Sequence, residues 1–423
     1  MNFLKLNELQ YKRFFVSIPY SNFWQSVEMA HMHETGNDPW DVEYVGVVEN
    51  RTIKAVASLH SKVVYRGYRV YMIPRGLLID YKDEKLLRFF LQELLLYLKE
   101  KKCLFVRMDP YVEYQKHLPD GSIDKSTLPN NRLISLLKSY GFNHLGFRTE
   151  IDNNYEPRWL SVLSLTGKTE AEVLKQMDSR TRQNINYTIR DGIKLRELGY
   201  EELEILYHMV NMTGTRKHFD NPSLSYYQNF YQAFKSHKKV LYAYLDTEDY
   251  LERNEQELLK MRVKEKELYQ LLEENPKSKK NQGRLSSLHE LMTATKKRIQ
   301  EAKELHETYG REIPLAAALF VIYPSEIVYL FSGSDARFKH FKGSYAIQWE
   351  IIRYALKEGI PRYNFYGISG TFDKNSEEYG VFLFKRGFHT DVIELVGDFK
   401  CIVAPQINRQ YELLHKIKDK LKR

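Results

Sequence analysis

The sequence predicts an α/β protein made of two like units, with an antiparallel helical hairpin inserted into the second. Three observations carry this. Strand-like and helix-like runs alternate through residues 1–152, and a similar order returns after residue 153. Between 246 and 312 that rhythm stops: proline and glycine almost vanish and apolar residues fall at heptad spacing. Strands then resume, so the interruption lies inside the second unit. The domains expected are 1–152, then 153–245 together with 313–423, and an arm at 246–312.

The elements follow in order. Residues 44–48 and 53–64 read as neighbouring strands around Glu49-Asn50-Arg51. Residues 69–73 form a strand leading into Pro74-Arg75-Gly76. An amphipathic helix spans 84–101, and a buried strand, 103–108, ends at Asp109-Pro110. A helix at 131–139 stops at Tyr140-Gly141-Phe142, completing a mixed unit around one open sheet. In the second unit, 158–164 is a strand and 169–191 one long helix rich in Arg, Asn and Gln. Helices at 201–213 and 225–236 precede a strand at 240–245. Residues 315–323 and 327–332 form a hairpin around Pro324-Ser325. A helix with the rhythm Tyr345, Trp349, Ile352, Leu356 stops at Gly359-Ile360-Pro361. The strand 362–366 follows and ends in Gly367-Ile368-Ser369-Gly370. A further strand carries the apolar run 381–384 and Lys385. In the arm, Leu251, Leu258, Met261, Leu268 and Leu272 face Leu285, Leu288, Met292, Ile299 and Ala302 across the turn 273–283. At ~1.5 Å per residue each helix reaches roughly 40 Å.

Composition bounds the function. A chain of 423 residues with 43% apolar and 13% aromatic content folds into two or three domains with a large core. Its 31 tyrosines suit wet grooves for polar ligands, and equally half-buried strands. The net charge of +9 points to a polyanionic partner: nucleic acid, a nucleotide diphosphate or an anionic membrane surface. Acids and bases balance across the arm, so the excess lies on the body, while the tip at 277–280 is locally basic. Cys103 and Cys401 sit in apolar runs and read as buried thiols of a reducing compartment, without zinc spacing. The first residues lack a signal peptide's apolar stretch, and no window reaches the ~18–20 apolar residues of a membrane span. A cytoplasmic protein is expected, peripheral at the inner membrane face if its substrate is lipid-borne.

None of the 13 histidines stands in an H-E-x-x-H motif, and there is no G-x-S-x-G, Walker loop or G-x-G-x-x-G. Phe341-Lys342-Gly343-Ser344 is the nearest approach to a pyrophosphate-holding turn, and it is degenerate. The order of elements is that of an N-acyltransferase fold without a grip on acetyl-CoA. Lys385 is a cation inside an apolar run, which costs free energy without a task or partner; the plain alternative is a side chain snorkelling from a strand edge. Arg75 and Asp109 lie at strand ends. Asp109 has the chemistry to accept a proton, or simply caps its turn.

Several segments together resemble one family. They are YSNFWQ at 20–25, PRG at 74–76 with Asp80-Tyr81, RMDPY at 107–111, RTRQN at 180–184 with Gly192, TGTR at 213–216 with Tyr226-Tyr227, and FKRGF at 384–388. The chain resembles the Fem (FemABX) family of peptidoglycan aminoacyltransferases, over nearly its whole length. The resemblance implies two acyl-CoA N-acyltransferase (GNAT)-like subdomains with a coiled-coil arm. It implies transfer of glycine, or serine or alanine, from aminoacyl-tRNA to the stem peptide or growing bridge of lipid II, with no cofactor and no metal. Lys385 and Asp109 would be catalytic, Lys385 stabilising the tetrahedral oxyanion. Arg216, Arg75, His33, Tyr227 and Tyr111 would bind substrate, Arg216 gripping its diphosphate. From their charge alone, Arg180 and Arg182 suit tRNA or lipid-diphosphate phosphates and Lys279 and Lys280 suit tRNA phosphates, each against the plain alternative of a solvated basic face. Two departures stand out: Leu77 replaces a usual proline, and His33, eight residues after Gln25, replaces a usual lysine. Expected partners are aminoacyl-tRNA, lipid II, the cytoplasmic membrane face, and a homologous Fem protein or a second copy. An acetyl-CoA-dependent N-acyltransferase and a non-catalytic binder of tRNA or cell-wall precursor remain the alternatives.

Overall fold

The computed structural model describes residues 1–421 apart from 20, 37, 153, 154, 218, 219 and 377, so Tyr20 of the 20–25 segment lies outside the described residues. Among the described residues the strands form two mixed sheets, of seven and eight strands. The first runs Asn2–Leu6, Asp41–Glu49, Thr52–Tyr65, Tyr68–Ile73, Cys103–Met108, Phe399–Ile402 and Asn143–His144. Tyr68–Ile73 and Cys103–Met108 are parallel, so the chain must cross the sheet between them. The helix Glu84–Glu100 makes that crossing, and its stripe Leu87, Phe90, Leu91, Leu94, Leu98 is fully buried.

The second sheet repeats this order from its far edge. Lys194–Glu197, Lys238–Asp246, Glu312–Ile322 and Ile327–Ser334 are antiparallel neighbours; the helix Gly343–Lys357 then leads to Arg362–Gly367, parallel to Ile327–Ser334. Trp159–Ser164, Asp391–Leu395 and Glu113–Lys116 complete it. Each unit also carries a helix pair against its sheet, Glu8–Ser17 with Val27–Thr35 and Leu203–Lys217 with Leu224–Phe234. The internal duplication is thus visible strand by strand.

The same comparison locates the arm. In the first unit, Asp41–Glu49 and Thr52–Tyr65 close through Asn50 and Arg51, both at positive φ (49° and 62°), as tight hairpin turns require. At the corresponding place in the second unit Asp246 pairs with Glu312, and the helices Thr247–Glu274 and Lys279–Tyr309 fill the gap. Asp246 caps the first helix by accepting from the Glu248 and Asp249 N–H groups. Leu258, Met261, Leu288 and Met292 form the seam between the helices, as the heptad spacing predicts. Arg298 Nε donates to Asn254 Oδ1 at 2.7 Å across the seam, and the short connection 275–278 makes the helices antiparallel.

Three expectations are corrected. Residues 169–191 form two helices, Glu170–Gln176 and Ser179–Arg190, because Asp178 caps the second by accepting from the Thr181 N–H. Lys385 lies not in a strand but in the helix Tyr379–Arg386, where it shares a buried face with Phe382 while Val381 and Leu383 stay part-exposed. A four-residue apolar run fits either period, and only packing arbitrates. Finally, strands cross between the expected domains. Glu113–Lys116 pairs with Asp391–Leu395 in the second sheet, and Phe399–Ile402 pairs with Cys103–Met108 in the first. Each exchange covers a strand edge that would otherwise stay open. Cys103 and Cys401 are free and buried.

Candidate active site

The two units meet where their central parallel strands end. In the first, Ile73 pairs with Met108, and the chain leaves these strands as Pro74-Arg75 and Asp109-Pro110. Arg75 adopts a positive φ of 54°. Its backbone N–H donates to Asp109 Oδ1 at 2.9 Å, and its guanidinium lies 3.2 Å from Asp109 Oδ2. Arg75 Nη2 also donates to the Pro157 carbonyl at 2.8 Å.

In the second unit the parallel pairing covers only Ile327 with Tyr363 and Val328 with Asn364 before the strands part. Pairing to Trp159–Ser164 shifts between Asn364 and Gly367. There Asn364 Oδ1 accepts from the Tyr366 N–H at 2.8 Å, and Tyr366 takes a φ of 66°. This kink presents the Gly367 carbonyl to Lys385 Nζ, which donates to it at 2.6 Å. Lys385 is 7% exposed, and no carboxylate lies within 4 Å of it among the described residues. Burial draws its pKa down to about 7. The helix is held rigidly: the Gly387 carbonyl accepts from the Asp178 N–H, and a Cβ at 387 would lie 2.3 Å from Thr181 Oγ1.

Polar groups span the space between the two ends. Tyr366 donates its hydroxyl to the Glu156 carboxylate and accepts from Trp24 Nε1 at 3.1 Å. Glu156 Oε2 stands 3.9 Å from Arg75 Nη2. On the other flank Tyr111 donates to Glu326 Oε2 at 3.1 Å, Asn22 Nδ2 donates to Glu326 Oε1, and Asn364 Nδ2 donates to the Tyr111 hydroxyl. The guanidinium carbons of Arg75 and Arg362 each lie 5.8 Å from the centre of the Tyr111 ring. Burial pushes Asp109 up to about 7, against the pull of Arg75 and with help from the Asp398 charge. Burial likewise raises Glu156 and Glu326. Burial opposes the Arg75 charge, but Asp109 and Glu156 more than offset this, and Arg75 stays firmly protonated. A cavity of about 410 Å³ opens on the first unit's side, bounded by Arg75, Leu77, Tyr81, Tyr111, Val112 and Leu133. Its size suits a short peptide segment, and Lys385 is not among its walls.

The structure therefore brings Arg75, Asp109 and Tyr111 together and links them, through Glu156, Tyr366 and Gly367, to Lys385. Tyr227 lies in the core, its hydroxyl donating to Asn221 Oδ1 at 2.6 Å. Its neighbour Tyr226 is the one that feels the Glu156 charge. His33 packs beside Trp24, and its Nδ1 is 2.8 Å from His60 Nδ1. Burial takes His33 down to about 4, so it carries no charge at neutral pH. Arg216 is exposed on the last turn of Leu203–Lys217, where its charge acts on Asp335. No hydrogen bond or ion pair among the described residues joins it to His33. Arg182 donates to the carbonyls of Lys175 and Met177, clamping the break between the two helices. Arg180 is exposed nearby, and Lys279 and Lys280 are exposed at the arm's far end.

Glu156, Glu326, Trp24, Asn364 and Tyr366 escape a reading of the sequence. Glu156 and Glu326 neighbour turn residues and look solvated; the meeting of the two units buries Glu326 and half-buries Glu156. The Tyr363-Asn364-Phe365-Tyr366-Gly367 run was the available signal, since Asn and Gly in a strand mark a kink.

Two α/β units of this order, joined at the carboxyl ends of their parallel strands, define a tandem N-acyltransferase-like protein with a helical arm. The sequence matches the FemAB family over residues 6–416, and the chain belongs to that family. Aminoacyltransferase FemA of Staphylococcus aureus strain bovine RF122 / ET3-1 is 34% identical over 423 residues, covering 100% of both chains. FemA of strain MRSA252 gives the same identity and coverage. The crystal structure of FemX superposes with a TM-score of 0.80 at 24% identity, over 97% of this chain and 99% of that one, which establishes the fold.

Proposed function

We propose that this chain is an aminoacyltransferase that moves an amino acid from aminoacyl-tRNA to an amine on the stem peptide, or growing bridge, of a lipid-linked peptidoglycan precursor. The carrying observation is Lys385: buried and, among the described residues, without an ionic partner, its ammonium donating to the Gly367 carbonyl where two strands part. Such a cation is poised for charge that appears during reaction.

The acceptor nitrogen attacks the ester carbonyl, a C–N bond forms and the carbonyl oxygen becomes an oxyanion. Lys385, as ammonium, leaves Gly367 to stabilise it. Collapse breaks the bond to the ribose oxygen, which departs as a hydroxyl with a proton from Lys385. Asp109 takes the proton lost by the amine. Arg75 orients Asp109, and Tyr111 and the cavity beside it hold the peptide. Arg216 and the neutral His33 bound the precursor's anionic part, with less charge at position 33 than a lysine would supply. Arg180, Lys279 and Lys280 are free to meet tRNA phosphates, and the ester donor needs no further activation. Glycine is the first choice of amino acid. The protein works at the inner face of the cell membrane, alone, as a pair, or with a homologous Fem protein.

The test gives purified protein lipid II, with and without a partial bridge, and tRNAs charged with labelled glycine, serine and alanine; labelled acetyl-CoA runs in parallel. Label reaching the lipid from one tRNA, and lost in Lys385→Met, supports the reading. Label arriving only from acetyl-CoA overturns it.

A further inference from the structure

The last helix, Pro405–Leu421, holds an apolar face outward among the described residues. Leu413, Leu414 and Ile417 are 61%, 41% and 46% exposed. With Ile407 and Tyr411 they recur at the three- and four-residue spacing of one helix face. The opposite side faces the body: Asn408 is buried and donates to Glu412, which lies 3.6 Å from Lys400 Nζ. The Lys400–Glu412 ion pair and the buried Asn408 hold this polar side to the body, with Leu413 and Leu414 outward. Its sequence carries Arg409, Lys416, Lys418 and Lys420 against Glu412 and Asp419, and Lys422 and Arg423 follow.

A second element stands beside it. The hairpin tip Tyr65-Arg66-Gly67-Tyr68 touches the helix root: the Tyr65 ring lies 6.3 Å from that of Tyr411, and Arg66 Nη1 donates to Gln410 at 3.4 Å. Val63 on the same hairpin is exposed. Arg69 N–H bonds the Lys102 carbonyl, which places the exposed Lys101 and Lys102 alongside. Exposed leucines and a valine, tyrosines at their margin and the exposed Arg66, Lys101, Lys102 and Arg409 form the pattern of a surface that enters the headgroup layer of an anionic bilayer. A nucleic-acid face would need the cations but not the leucines. Among the described residues no helix is long and apolar enough to cross a membrane, so the contact is peripheral.

We infer that Pro405–Leu421 and the 65–68 hairpin tip form a docking surface for an anionic lipid bilayer. This deepens the proposed function and rests on its lipid-linked acceptor, because it would bring the enzyme to the layer that holds the substrate.

The experiment is co-sedimentation of the full chain with vesicles of phosphatidylglycerol and phosphatidylcholine, and with phosphatidylcholine alone. The chain should bind the anionic vesicles, less so at high salt. Leu413→Asp with Leu414→Asp should abolish binding, and each lysine of 416, 418 and 420 changed to Gln should weaken it about fivefold. Leu128→Asp, at a site 92% exposed outside this surface, should change nothing. Wild-type protein that ignores anionic vesicles, or a doubly substituted helix that binds them normally, overturns the inference. So does loss of charged-tRNA binding in these variants with vesicle binding intact, which would assign the helix to RNA. Transfer to a water-soluble acceptor peptide should survive the Leu413 and Leu414 changes. If wild type binds vesicles but transfers nothing to any acceptor, the proposed function fails and the docking surface stands.

Discussion

Lys385→Met separates a catalytic lysine from a structural one, because the two roles predict opposite changes in stability. Folding lowers the Lys385 pKa from 10.5 to about 7 by burial. At ~1.36 kcal/mol per tenfold step in proton affinity, the buried charge costs about 5 kcal/mol at low pH. The sign follows from proton counting. Between the folded and unfolded pKa the unfolded chain holds the extra proton, so wild-type stability rises with pH through that window. Methionine has similar length and no charge, and it forfeits one hydrogen bond to Gly367, about 1 kcal/mol. The variant should therefore be more stable than wild type by roughly 3–4 kcal/mol near pH 6, and that gap should shrink by about 3 kcal/mol towards pH 9. Loss of the oxyanion partner should lower kcat/KM by about 10²–10³-fold. Thermal melts across pH and transfer kinetics on the same preparations read both quantities. A variant that is less stable near pH 6, or one that keeps its activity, refutes the assignment of Lys385 as an underpaired cation held for the reaction.

Other outcomes follow from the same site and from the arm. The pH profile of kcat/KM should be bell-shaped around neutrality, because Asp109 at about 7 must be ionised and Lys385 at about 7 protonated. Asp109→Asn should lower kcat/KM by about 10²–10⁴-fold and remove the Asp109 contribution to the acid limb. The neutral His33–His60 pair predicts acid sensitivity. Because the unfolded chain protonates first, stability should fall as pH drops from 6.5 towards 4, by about 3 kcal/mol for His33. His33→Asn should flatten that slope in melts across the window. Replacing residues 262–291 with a short turn should leave the melting temperature almost unchanged, since Met261 and Met292 meet across the hairpin and the arm's base stays packed at Tyr250 and Ala302. The same trimming should raise the KM for charged tRNA several-fold if Lys279 and Lys280 contact it; an unchanged KM removes the distal arm from donor binding.

Most elements were legible because their cause is local. The heptad leucines of the arm, the stripe along Glu84–Glu100 and the Asn50-Arg51 turn follow from periodicity and turn chemistry. The resemblance carried by RMDPY, FKRGF and the segments around them pointed to the family and to Arg75, Asp109 and Lys385. What periodicity left undecided was the run before Lys385: four apolar residues suit a strand or a helix, and it is helical because Phe382 and Lys385 must face the core together. The break at Asp178 carried a local signal, the capping aspartate, but the contact that holds it open is to the distant Gly387 carbonyl. Glu156 and Glu326 are hydrophilic residues beside turns, and the meeting of two sheets buries Glu326 and half-buries Glu156. The sequence alone thus determined the duplicated α/β order, the inserted arm and the lysine to look for. The tertiary structure decided which strands cross between the units, that Tyr227 is committed to the core through Asn221, and that among the described residues the Lys385 ammonium meets a carbonyl and no carboxylate. Burial and long-range pairing are properties of surfaces brought together from distant residues, and they set the charge states on which the chemistry depends.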